Sequence, residues 1–173
     1  MQKNIDNSKI ALYLIFKIPF GTRRMYLNAV QSLLWNKSVS KRLIAHGTKI
    51  LDGDLIEIGT TKQIYSSAKQ YDQPPTLKNL TMPLFGSDTQ IECSEVKNIV
   101  TECIEDFGMS YEEFKSTLAL NKMLSNDRKI IQCPADFEYQ INHDSIQLDF
   151  SLNSSCYATE LLREVTNSKY YYN

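Results

Sequence analysis

None of the four cysteines, Cys93, Cys103, Cys133 and Cys156, stands two residues from another, so the chain has no C-x-x-C pair. Neither of the two histidines, His46 and His143, is spaced to complete a zinc set with them. The expectation is buried free thiols in a reducing compartment, with no metal centre and no disulfide framework. No run approaches the ~18 apolar residues of a membrane span. The apolar stretch at residues 10–16 (IALYLIF) runs straight into Lys17 and no small-x-small cleavage site follows, so it is not read as a secretory signal. The expected setting is therefore intracellular, cytoplasmic or nuclear, away from the membrane. A Gly-rich phosphate loop, a G-x-S-x-G elbow and an H-E-x-x-H helix are also missing. His143 and Asp144 are neighbours, but neighbours on a strand point to opposite faces, so each would orient the other poorly. No cofactor is implied.

What is present is an ordinary globular composition. The chain has 173 residues, 42% of them apolar, and a formal net charge of -1. That length suits one domain, or a domain and a half. The near-neutral total hides a strong asymmetry. Residues 1–50 hold nine Lys and Arg against the single acid Asp6, a balance of +8. Residues 51–120 stand at -7 and residues 121–173 at -2. Such a distribution predicts a polyanion-facing surface near the amino end and an acidic, solvated face elsewhere.

Periodicity divides the chain into helical and strand-like parts. Residues 10–18 read as a strand or a buried segment, punctuated by Pro19. Thr22 is a candidate N-cap for a long helix reaching about Ala45, with Gly47 as its stop. Leu27, Val30, Leu34, Val39 and Leu43 fall near one face of it. Strands are expected at residues 55–58 and around residues 63–65, followed by a polar loop from Ser66 to Pro75. Ser94 is expected to cap a second helix that ends at Gly108, and Ser110 with Glu113 forms a capping box for a third over residues 111–120. The period then shifts to two, with short strands at 129–133 and 137–141. Alternation is clean over residues 145–152 (SIQLDFSL), and a short amphipathic helix covers residues 156–165. The fold class is α+β.

Several longer patterns occur in a fixed order. Residues 30–43 read VQSLLWNKSVSKRL and are followed by Asp52-Gly53-Asp54-Leu55. Met82-Pro83-Leu84-Phe85-Gly86 comes next, then Arg128-Lys129-Ile130-Ile131 with Pro134, and the chain closes with LDFSLNSSCYATELLREV at residues 148–165. Together these resemble the TruD family of tRNA pseudouridine synthases. That family reads roughly Q-S-Y-x-W/F-N-x-x-x-S-x-R-L with a later G-D, then L-P-L-x-G, then R-K-x-x-x-x-P. Its closing motif is F-x-L-P followed by Y/F-A-T-x-x-x-R-E-L. Trp35 and the V-S-K-R-L wording are closer to eukaryotic members. The resemblance spans residues 22–166 and departs at Asn153, which stands where the family has proline.

The resemblance implies an RNA-modifying isomerase acting on uridine in tRNA or another RNA, with no cofactor and no metal. Its catalytic aspartate belongs to a G-x-K-D-x-x-A motif, and no Lys-Asp dipeptide occurs in these 173 residues. Phe20-Gly21-Thr22-Arg23 only superficially echoes the family's N-x-F-G-x-Q-R-F. The implied organisation is an amino-terminal segment at 1–21, most of an inserted TRUD-type domain of mixed helices and short strands at 22–143, and the last strand and helix of the catalytic domain at 144–173. No catalytic residue is assigned. Tyr157, Ala158, Thr159, Leu162, Arg163 and Glu164 would support the active-site cleft. Lys37, Lys41, Arg42, Arg23 and Arg24 would meet RNA, with Lys37 and Lys41 four residues apart on one helix face. Trp35 could stack on a base but suits a core position better. The implied partners are RNA, chiefly tRNA, and the remainder of the catalytic domain, and a sheet edge at residues 10–18 would invite self-association. The competing expectation is a non-catalytic RNA-binding or protein-interaction module built on the same fold.

Overall fold

The computed structural model describes residues 15, 17–154 and 156–166. By its internal contacts the chain divides into two units, residues 1–130 and residues 131–173. The division at 143/144 implied by the family resemblance falls in the turn of a hairpin within the second unit. Among the described residues no helix is long and apolar enough to cross a membrane.

The first unit is built on a long helix, α1 (Phe20–His46), and a four-stranded antiparallel sheet. Pro19 stands at the N-cap of α1 without a side-chain capping bond, so Thr22 lies inside the helix and does not cap it. A fixed φ near −65° and a missing N–H suit proline at a helix start. The far end stops as expected at Gly47, whose φ of 56 fits a residue without a Cβ. Of residues 10–18, the described Ile15 and Lys17 are helical and exposed, which removes the strand reading there. The remaining residues up to 14, and Phe16, lie outside the described set, as does the tail from 167 to 173.

The sheet contains β1 (Leu55–Ile58), β2 (Thr61–Ile64), β3 (Leu80–Leu84) and β4 (Asn126–Lys129), in the order β2-β1-β3-β4. Ile58 pairs with Thr61 across a tight hairpin, and Thr81 pairs with both Leu55 and Lys129. Periodicity does not predict strand β3, because Pro83 interrupts a strand pattern. The proline is tolerated because β1 pairs with β3 only at Leu80 and Thr81, so Pro83 lies past that ladder. Strand β4 also begins three residues earlier than the expected 129–133.

Two shorter helices complete this unit. Helix α2 (Ser94–Glu105) has Cys93 at its N-cap and no side-chain capping bond, so Ser94 is its first residue and not its cap. Its face Val96, Ile99, Val100, Cys103 and Ile104 is buried, as its spacing predicts. Helix α3 (Tyr111–Leu120) carries the expected capping box, with Ser110 and Glu113 satisfying each other's backbone N–H. The core gathers Leu34, Met82, Phe85, Val100, Ile104 and Leu118. Phe85 meets Tyr111 edge-on at 5.1 Å. Leu43 is partly exposed and leaves the expected core stripe. Buried polar residues take its place, since α1 inserts Gln31, Ser38 and Arg42 alongside Leu34.

The second unit is a two-stranded hairpin, β5 (Ala135–Ile141) with β6 (Ile146–Ser151), followed by α4 (Ala158–Thr166). Its register shifts between Ala135 and Glu138, where Asp136 takes a φ of 52. Phe137 and Phe150 stack across the pair at 6.2 Å. No residue of β5 or α4 is buried. Of the four cysteines, Cys93 and Cys103 are buried, whereas Cys133 is exposed and Cys156 half-buried, so the expected four buried thiols reduce to two. His143 and Asp144 lie in the hairpin turn and not on a strand, and there their side chains touch. Both are almost fully exposed, which leaves the pair without a dry environment to act in.

Three exposed carboxylates hold loops and a helix start together. Backbone and hydroxyl donors from Ser67, Ser125 and Ser110 keep Asp52, Asp88 and Glu113 respectively below the ordinary carboxylate range. A depressed native pKa adds stability that is complete above the unfolded value near ~4 and is lost as pH falls through the native value. The urea midpoint, followed by fluorescence of the single Trp35, is expected to hold to about pH 5 and to fall below it. Asp88→Asn should reduce that fall, because the amide keeps an acceptor for Ser125 N–H without a titrating charge. An identical acid profile in the variant would count against this assignment.

Candidate nucleic-acid interface

Helix α1 contains no Asp or Glu in 27 residues, yet it carries Arg23, Arg24, Lys37, Lys41 and Arg42. In the sequence these five read as one basic surface. The structure sorts them into different environments, chiefly because α1 lies against α2 and β3.

Arg42 is fully buried. Its Nη2 donates to Asp54 Oδ2 at 2.9 Å and to the Lys49 carbonyl at 2.7 Å. Leu51 N–H donates to the same Asp54 oxygen at 2.7 Å. This arrangement ties the end of α1 to the turn before β1, so Arg42 does not present its charge to a phosphate and its expected RNA contact is corrected. Lys41 lies 3.4 Å from both Glu102 and Asp106. Desolvation pulls its ammonium down, but the neighbouring acids outweigh it and hold the pKa above the usual lysine value. Lys37 and Lys41 do share a face, as the spacing predicts, and line one shallow groove of about 350 Å³ with Ser40, Ile44 and Asp106. Lys37 Nζ stands 5.1 Å from the centre of the Phe107 ring. The amino-terminal surplus of positive charge is thus partly cancelled inside the first unit by acids of the middle segment.

The amino-terminal half of α1 differs. None of residues 20–30 is buried. Arg23 lies over the Phe20 ring at 5.8 Å, and Arg24 is exposed. Phe20, Met25 and Tyr26 are exposed beside them. Sequence reasoning missed these aromatic and apolar residues as surface features. The available signal was an acid-free segment in which aromatic and basic residues alternate. Trp35 is partly buried and packs against the core, donating Nε1–H to the Met82 carbonyl at 3.1 Å with Arg128 5.4 Å over its ring.

In the second unit, the residues of the closing pattern lie on or just before α4. Tyr157 is 72% exposed, Ala158, Thr159, Leu162 and Glu164 are exposed, and Arg163 ion-pairs with Glu160. The helix has an apolar face through Leu161, Leu162 and Val165 with no buried member.

A cavity of about 410 Å³ in the first unit is lined by Asp54, Glu92, Asp127, Thr81 and Gln90 among others. Its carboxylates disfavour a phosphate there. Among the described residues no group of three or more His, Cys, Asp or Glu is placed to hold a metal ion.

Comparison with known proteins gives a consistent result. The family model described as tRNA pseudouridine synthase D (TruD) matches residues 6–165. The chain is 25% identical to pseudouridylate synthase PUS7L of Mus musculus over 178 residues, covering 87% of this chain and 25% of that protein. It is 26% identical to tRNA pseudouridine synthase D of Shewanella oneidensis over 156 residues, covering 84% of this chain and 40% of that protein. It is 24% identical to pseudouridylate synthase 7 homolog of Homo sapiens, covering 86% of this chain and 27% of that protein. The chain therefore spans between a quarter and two fifths of the length of these relatives.

Proposed function

Because this chain belongs to the tRNA pseudouridine synthase D (TruD) family, we propose that it is an RNA-engaging portion of a uridine isomerase whose nucleophilic aspartate lies outside these 173 residues. The observation that carries this reading is the match over residues 6–165 together with the absence of any Lys-Asp dipeptide. In the reaction, the N1–C1′ bond of uridine breaks and a C5–C1′ bond forms. The hydrogen at C5 leaves as a proton and N1 gains one, so no net electron transfer occurs. Such chemistry needs a carboxylate at the sugar and a dry pocket for the flipped base.

In this reading residues 22–143 correspond to the family's inserted domain and residues 144–173 to the end of its catalytic domain. Tyr157, Ala158, Thr159, Leu162, Arg163 and Glu164 border the cleft, and the unburied apolar face of α4 meets the remainder of the catalytic domain. The α1 helix supplies RNA contacts, and tRNA is the expected substrate class. The exposure of α4 and the lack of acids on α1 support these roles.

The test is tritium release from tRNA labelled at uridine C5. The purified chain is expected to release no more tritium than a blank. Release clearly above the blank would overturn the placement of the nucleophile outside this chain.

A further inference from the structure

The cavity of about 410 Å³ in the first unit is formed by β1, β3 and the start of α2, with Ile64 of β2 and Asp127 of β4. Its size lies within the ~300–1,000 Å³ of small-molecule sites. Leu55, Ile64, Ile91 and Val96 give it apolar walls, and the carboxylates of Asp54, Glu92 and Asp127 also line it. No Lys, Arg or His is among its described lining residues. Two of the three acids already meet a cation, Asp54 at Arg42 and Asp127 at Lys62, at 2.9 and 3.0 Å. Three carboxylates against two cations leave the site one negative charge.

Asp54 supplies a second, independent observation. Its side chain is only 1% exposed. Oδ2 accepts from both Arg42 Nη2 and Leu51 N–H, whereas Oδ1 has no hydrogen-bond partner among the described residues. A buried carboxylate oxygen without a donor is costly, and a bound N–H group would remove that cost. The three acids do not converge on one point, since among the described residues no group of three or more His, Cys, Asp or Glu is placed to hold a metal ion. A cation with separated charges suits this arrangement better than a single ion.

We propose that the cavity binds an aliphatic diamine, with one ammonium donating to Asp54 Oδ1 and the other facing Glu92. The methylene chain between them lies against Leu55, Ile64 and Val96. An ammonium carries three donors and no acceptor, which matches a lining rich in acceptors. An anion would meet three carboxylates, and a wholly apolar ligand would leave Oδ1 without a donor. This inference does not depend on RNA engagement.

The experiment is calorimetric titration of the full 173-residue chain with butane-1,4-diamine and with butylamine in 0.15 M salt. Methyl signals of Ile64, Ile91 and Val96 are followed by NMR. The diamine is expected to bind saturably, shift these three methyl groups, and bind about fivefold tighter than butylamine, the value of one partly exposed ion pair. Glu92→Gln should remove that advantage, and Glu112→Gln on α3, outside the cavity, should keep it. Unaltered Trp35 fluorescence confirms that each variant is folded. No saturable binding of the diamine, binding without shifts at these methyl groups, or an advantage that survives Glu92→Gln would overturn the proposal.

Discussion

Replacing Arg42 by methionine is expected to destabilise the first unit by about 3–5 kcal/mol, because it strands the Asp54 carboxylate in the core. Both side chains are essentially without solvent contact. Losses of that size are a large part of the ~5–15 kcal/mol that holds a typical domain together. The expected result is a marked drop in the urea midpoint followed by Trp35 fluorescence, without a change in slope. A double replacement, Arg42→Met with Asp54→Leu, should recover part of the loss, since an apolar pair of similar volume is often neutral or better than a buried ion pair, while the Lys49 carbonyl and Leu51 N–H lose their side-chain partners. Recovery is favoured here because the pair is incompletely satisfied. Arg42 Nε and Nη1 and Asp54 Oδ1 have no hydrogen-bond partner among the described residues. A small effect of Arg42→Met alone would show that the site relaxes to admit water and that the buried pair is not structural.

Gly86→Ala is the second large effect. A Cβ at this position would lie 2.0 Å from Ser125 N and 2.2 Å from the Leu124 carbonyl carbon. Both are backbone atoms and cannot rotate away. Several bonds hold the two segments at this distance. Ser87 donates to the Met123 carbonyl from its N–H at 2.9 Å and from its Oγ at 3.1 Å, and Ser125 N–H donates to Asp88 Oδ1 at 2.6 Å, while Gly86 N–H closes its own turn on Thr89 Oγ1 at 2.7 Å. The adjoining Phe85 is buried, and its carbonyl accepts from Gln31 Nε2 at 2.8 Å. Relief of the clash must therefore displace either the β3 end or the start of β4. The expected cost is about 3 kcal/mol or more, the upper end for overpacking. It would appear as a lowered thermal midpoint with broadened backbone amide signals at residues 85–89 and 123–125. A stability equal to wild type would mean that these two segments do not approach this closely.

These two sites show what the sequence makes legible and what it hides. The capping box, the Gly47 stop and the α2 face follow from local rules, and each appears where the pattern places it. Strand β3 is hidden because Pro83 is a local veto that only the sheet register can lift. The early start of β4 has a similar origin, since Asn126, Asp127, Arg128 and Lys129 are polar and form a strand by pairing with β3. Charge is legible in total but not in use. Positive residues on α1 look equivalent in the sequence, whereas Arg42 meets Asp54 12 positions away and Lys41 meets Glu102 61 positions away. Such pairings depend on tertiary packing, which no periodicity contains. The R-L and G-D elements of the family pattern also gain a physical reading, since Arg42 and Asp54 are the buried pair that joins α1 to the sheet.

In the proposed function, the RNA-facing charge of α1 lies chiefly on its amino-terminal half. The most direct measurement is tRNA affinity as a function of salt concentration. Removing one cation that faces a phosphate in a duplex region lowers the slope of log affinity against log salt by about 0.9, so replacing the exposed Arg24 by glutamine should lower it by about that much. Lys41→Gln, whose parent ammonium already faces Glu102 and Asp106, should leave the slope nearly unchanged. A chain that does not bind tRNA at low salt, or a slope that responds to Lys41→Gln and not to Arg24→Gln, would contradict the account.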